Sequence, residues 1–283
     1  MYLILYIRRF AMAKKALLVG INAYPDAQNR LQGCVNDVTN IRNILKDYYG
    51  FENSGIHVLL DERATKAAML DRLQLLTDKA ESGDFIVFHY SGHGSQIRDR
   101  DDEKMGDGLD ELLCPVDMEW DRGTYILDDE LGVIMEKMTA TGARLEVLLD
   151  CCHSYTGTKG GFDRPDTVAD AVQRVRFMPP PLDIQCRAEG ELLPKRELVK
   201  SVPDKEVCWA ACLDWQTSAD ALINDSYNGA FTYNFCKIIR EANGKIARDD
   251  VLQRLRNAMT YNRYAQIPQL ECAKELAKQP VFS

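Results

Sequence analysis

Apolar residues along the first half of the chain alternate between short unbroken runs and longer stretches in which they recur three or four positions apart. The runs "KALLVGI" (Lys15–Ile21), "IHVLL" (Ile56–Leu60), "DFIVFHY" (Asp84–Tyr90) and "RLEVLLD" (Arg144–Asp150) predict strands covered on both faces. Between them, Val38, Ile41, Ile44, Leu45 and Tyr48 mark a helix from about Asn36, with Gly50 as its stop. Thr65 is placed to cap a second helix carrying Met69, Leu73 and Leu76 and ending by Gly83, and "ILDDELGVIMEKM" predicts a third. Strand–helix alternation of this kind specifies an α/β fold with a mostly parallel central sheet. Ligand and active sites in such sheets gather outside the carboxyl ends of the strands.

The pattern lapses from Thr158 to about Lys205, where "GGFDRP" and "RFMPPPLDIQC" carry breakers and no period is sustained. It resumes with a strand at "VCWAACL" (Val207–Leu213), helices around Ala230–Ala242 and Arg248–Tyr261, and a last short strand near Ile267–Cys272. One domain is therefore expected: a first part over 13–157, a linker over 158–205 and a second part over 206–283. Residues 1–12 are expected to stand apart as a disordered extension or a start-site artefact, because Met12 directly precedes the first convincing strand.

Composition narrows the function. A formal net charge of −8 offers no basic stripe for nucleic acid and leaves room for a cationic partner. No apolar run reaches the roughly 18–20 residues that cross a membrane. The cysteines number nine, an odd count without a disulfide framework, which suggests a reducing, cytoplasmic setting.

Two segments at strand ends carry candidate chemistry, "HYSGHGSQ" and "DCCHS". A cysteine nucleophile needs a base that takes its proton and later protonates a leaving amine. His153 adjoins Cys152 in sequence, but consecutive residues leaving a strand point in different directions. His57 and His89 belong to strands and read as structural. His93 stands between glycines in a loop after the third strand, open to a ligand, and the Gly94 amide is placed to help hold an oxyanion with the nucleophile's own amide. Which cysteine of the pair reacts is not decided by the residues alone.

The order "YSGHGSQ", "DGLDELLCPVD", "ILDDEL", "LLDCCHS", with "GINAYPDAQNRLQGCVNDV" before and "AACLDWQTSADALINDSYNGAFTY" after, resembles the caspase-like clan of cysteine peptidases, and within it metacaspases of the prokaryotic type I, orthocaspase-like kind. That resemblance implies a caspase-like α/β/α sandwich and a cysteine endopeptidase cleaving after arginine or lysine. It places the catalytic pair on His93 and Cys152, the oxyanion hole on Gly94 and Cys152, and Cys151 in the core. Cys34, Asp37, Ser91 and Asp150 would line an acidic pocket for the basic side chain. Asp110, Asp128 and Asp129 match calcium positions, yet "HSYTGTKGG" after the nucleophile lacks the family's further acidic ligand, so no cofactor is expected to be required. The expected partners are basic peptides or proteins, and the expected state is a monomer. Tyr155 departs from the family's usual glycine, which leaves a catalytically weak interaction module as the alternative. Lys159, Arg164, Arg174, Arg176, Arg187, Lys195, Arg196 and Lys200 in the 158–205 linker are candidate self-processing sites.

Overall fold

The computed structural model describes residues 12–98, 109–152, 173–186, 204–213 and 216–283. The expectations for residues 1–11, His153, Tyr155 and most of the 158–205 linker lie outside these. Five strands form the parallel part of the central sheet: β1 (Lys14–Gly20), β2 (Ile56–Leu60), β3 (Phe85–Ser91), β7 (Arg144–Asp150) and β9 (Glu206–Ala210). They lie in the order β9-β7-β3-β1-β2, and the antiparallel β12 (Gln269–Cys272) pairs with β9 at one edge.

Successive side chains of each strand serve opposite faces. Leu17 and Val19 of β1 face α2 (Lys66–Asp78) and α3 (Asp128–Ala140), through Met69, Leu73, Leu131 and Met135. Ala16 and Leu18 face α1 (Cys34–Tyr49), α5 (Ala230–Glu241) and α6 (Arg248–Tyr261), through Ile41, Ile44, Phe231, Phe235 and Leu255. The result is a three-layer α/β/α sandwich. Local signals set several ends: Thr65 accepts a bond from the Ala68 amide, and Gly50 closes α1 in the left-handed conformation at φ 68°. The second helix stops at Asp78, short of Gly83.

Two smaller sheets sit on this frame. One holds β4 (Gly94–Arg98), β5 (Leu109–Leu113) and β6 (Ile126–Leu127); the other holds β8 (Arg174–Val175), β10 (Ala219–Ile223) and β11 (Ser226–Gly229). The linker is thus not uniformly irregular: it contributes β8 and the short α4 (Leu182–Cys186). Its breakers hide these elements because β8 is held by tertiary pairing with β10 and carries no period of its own. Beneath the sheet, Glu146 of β7 makes a bidentate pair with Arg248 of α6 (3.1 and 2.7 Å) and also accepts from Trp209 Nε1 (2.8 Å) and the Phe282 amide (2.9 Å). No helix among the described residues is long and apolar enough to cross a membrane.

Candidate active site

The carboxyl ends of β1, β3 and β7 adjoin, with Gly20 opposite Ser91 and Ser91 opposite Asp150. His93 follows β3 and its backbone is caged by two tyrosines: its amide donates to the Tyr24 hydroxyl (2.9 Å), and the Tyr90 hydroxyl donates to its carbonyl (2.7 Å). A Cβ on Gly92 would lie 2.7 Å from the Tyr90 hydroxyl and 2.9 Å from that of Tyr24, so only glycine fits there. The imidazole stacks obliquely on Tyr24 and places Nε2 2.7 Å from the Asn29 carbonyl. A carbonyl only accepts, so Nε2 carries the hydrogen and Nδ1 is left with its lone pair. Nδ1 is buried without a partner among the described residues, and burial lowers the ring's pKa to about 4. Although the loop position suggested an open imidazole, His93 is only 3% exposed.

Cys151 and Cys152 part company where β7 ends. Cys151 packs into the core beneath α2 and α3, and burial pushes its thiol well up. Cys152 packs instead with Phe177 and Cys212; its Sγ accepts from the Ser218 amide and lies 3.6 Å from the Ser218 carbonyl. The Cys152 amide donates to the carbonyl of Arg176 (3.1 Å), and the Gly94 amide donates to the same oxygen (3.1 Å). Two amides from different strands, one next to His93 and one belonging to Cys152, therefore converge on one carbonyl.

The side chain of that same Arg176 fills the pocket expected from Asp37, Ser91 and Asp150. One terminal nitrogen, Nη1, meets Ser91 Oγ (2.8 Å), Asp150 Oδ1 (3.2 Å) and the Asp150 carbonyl (3.2 Å). The other, Nη2, meets Asp37 Oδ2 (2.7 Å) and Asp220 Oδ1 (2.9 Å). Cys34 is buried at the same place, within the electrostatic reach of Arg176, and burial raises its pKa. Burial also pushes Asp37 up, to about 7, against the pull of the guanidinium.

The residues that complete the pocket carried no signal in the sequence. Asp220 accepts from the amides of Gln32 and Gly33, and Asp150 accepts from Ser218 Oγ and from both the amide and hydroxyl of Thr232. A Cβ on Gly229 would come 2.2 Å from Asp150 Oδ2 and 2.6 Å from Arg176 Nη1. The three acidic residues matched to calcium lie elsewhere: Leu112 of β5 pairs with Leu127, which brings Asp110 toward the start of α3, where Asp128 and Asp129 sit. Among the described residues no group of three metal-ligating side chains is found.

A family model for the metacaspase, peptidase C14 domain matches residues 14–159. The chain belongs to the metacaspase family. Among curated metacaspases, the metacaspase-1 of Schizosaccharomyces pombe is 32% identical over 299 residues, covering 93% of this chain and 68% of that relative. The metacaspase-1 of Meyerozyma guilliermondii is 33% identical over 289 residues, with 91% and 68% covered. A crystal structure of a Geobacter sulfurreducens protein shares the fold at TM-score 0.69 and 24% identity, covering 96% of this chain and 98% of that one. Caspase-1 from Spodoptera frugiperda shares it at TM-score 0.56 and 13% identity, with 92% and 86% covered. This metacaspase thus has the caspase-like sandwich and belongs to a family of cysteine peptidases.

Proposed function

We propose that the chain is a cysteine endopeptidase that cleaves after arginine, and less readily after lysine. The supporting observation is the seat of Arg176, with its guanidinium among three carboxylates and its carbonyl on the amides of Gly94 and Cys152. A basic residue of a substrate placed in the same way presents its carbonyl carbon to Cys152. His93, with its lone pair on Nδ1, takes the thiol proton and Sγ attacks that carbon. The developing oxyanion is held by the two amides, which are already oriented for it. Collapse breaks the peptide bond, and His93 returns the proton to the leaving nitrogen. A water molecule, deprotonated by His93, then hydrolyses the thioester.

The test is hydrolysis of fluorogenic peptides ending in Arg, Lys, Asp or Asn, run with calcium and with chelator. Cleavage after arginine that falls at least a thousandfold in Cys152→Ala and persists in Cys151→Ala is the expected result. The second reading, a caspase-like interaction module, draws on the full burial of Cys152 beneath the chain's own segment. Absence of hydrolysis under every condition favours it over the peptidase.

A further inference from the structure

Burial along the segment from Arg174 to Pro179 is confined to three consecutive residues. Arg174 and Val175 are exposed, Arg176, Phe177 and Met178 are buried, and Pro179 is exposed again. An extended chain lying along a sheet buries alternate side chains, so three in succession need three separate receptors. Arg176 enters the acidic pocket, Phe177 lies on Cys152 and Cys212, and Met178 joins the apolar cluster beneath α2 and α3, which also holds Ile97 of β4 and Leu113 of β5.

The main chain of the two residues beyond the arginine is held as well. Phe177 bridges Gly94 in parallel register, and the Met178 amide donates to the Gly94 carbonyl (3.0 Å). The buried Ser95 hydroxyl donates to the Met178 carbonyl (2.5 Å). With the Gly94 amide on the Arg176 carbonyl, the start of β4 follows this backbone from the arginine to the second residue after it. A carboxylate or ammonium placed in either apolar receptor would give up its hydration to thiols and hydrocarbon.

We propose that the cleft reads three residues across the scissile bond: a basic residue, then two apolar ones, the first taken up at Cys212 beside the nucleophile and the second in the cluster beneath α2 and α3. The ligand class is an extended polypeptide of the form basic–apolar–apolar. The residue before the arginine carries little of the preference, since Val175 is 38% exposed. This rests on the arginine-directed reading above and deepens it by assigning the leaving-group side of the cleft. Both apolar residues depart with the leaving amine, so they act on formation of the thioester and not on its hydrolysis. Peptides that are identical up to the arginine form the same thioester, and their preference is read in kcat/KM.

The test uses the full chain and internally quenched peptides that share Ala-Val-Arg and differ afterwards. Arg-Phe-Met is expected to exceed Arg-Gly-Met and Arg-Phe-Gly each at least tenfold in kcat/KM, the worth of one buried apolar side chain, and Arg-Asp-Asp by more. Replacing the valine before the arginine by serine changes the value less than threefold. Cys212→Leu narrows the first receptor and should move the Phe-to-Ala preference after arginine at least fivefold toward Ala, whereas a structural defect lowers both peptides alike. Ser95→Ala removes the donor to the second carbonyl. It should lower kcat/KM at least threefold for Arg-Phe-Met, and by a smaller factor for a peptide amide that ends at the phenylalanine. Equal cleavage whatever follows the arginine, or a preference for acidic residues there, overturns the proposal and leaves the peptidase reading intact. An equal loss for Phe and Ala peptides in Cys212→Leu overturns the place given to Cys212. No hydrolysis of any peptide overturns both readings.

Discussion

Asp220 is the residue that turns an acidic pocket into one shaped for a fork. Asp37 and Asp220 share one terminal nitrogen of Arg176 while Ser91 and Asp150 share the other. A lysine ammonium is a single point of charge and meets only part of this set. Asp220→Asn removes one charged partner, about 1.5–3 kcal/mol for a charge-assisted bond, or roughly ten- to a hundredfold. Steady-state kinetics should show KM for arginine peptides rising by about that factor, with lysine peptides affected less and kcat nearly unchanged. The candidate segments "SGHGS" and "DCCHS" were legible in the sequence because they stand at strand ends, where α/β folds gather their chemistry, while the choice of Cys152 over Cys151 came from the resemblance. Asp220 was not legible, since the Gly33 amide that orients it lies 187 residues away in the chain.

Among the elements, those with their own periodicity matched expectation to within a few residues: β2, β7 and α6 keep the ranges read from the sequence. The hairpins β4–β5 and β10–β11 were not read, because "GSQIR" and "ADALI" lack alternation and are specified by neighbours. What joins β7 to α6 is the Glu146–Arg248 pair, whose side chains are 0% and 1% exposed. Removing one member of such a pair strands a buried charge, at a cost of about 3–5 kcal/mol. Arg248→Met should therefore lower the unfolding free energy in urea by about that amount. Adding Glu146→Leu to it should recover only part of the loss, because the stranded carboxylate is gone but Trp209 Nε1 and the Phe282 amide lose their acceptor.

Across the whole molecule, acid should loosen the fold before it touches the pairs. His89 sits in β3 with both ring nitrogens buried and unpartnered among the described residues, and burial lowers its pKa from 6.5 to about 3. The unfolded chain binds that proton below 6.5 and the folded chain resists it, so His89 favours folding above 6.5 and the benefit drains away as pH falls toward 3. Asp37 has the opposite sign: its raised value favours folding at low pH, and that contribution is lost as pH rises through about 7. His89→Leu isolates the first effect. Thermal unfolding of this variant between pH 7 and 4 should fall less steeply than that of wild type, and an unchanged slope would remove His89 from the account. The pairing of β8 on β10 reaches beyond this molecule. A cleft that completes a strand on its guest reads backbone before side chain, since the guest must arrive extended and with its amides unpaired. Under the proposed activity, an arginine inside a partner's helix goes unseen, while the same arginine in an unravelled or never-folded stretch is exposed to attack. The conformation of a target, as much as its sequence, then decides when it is cut.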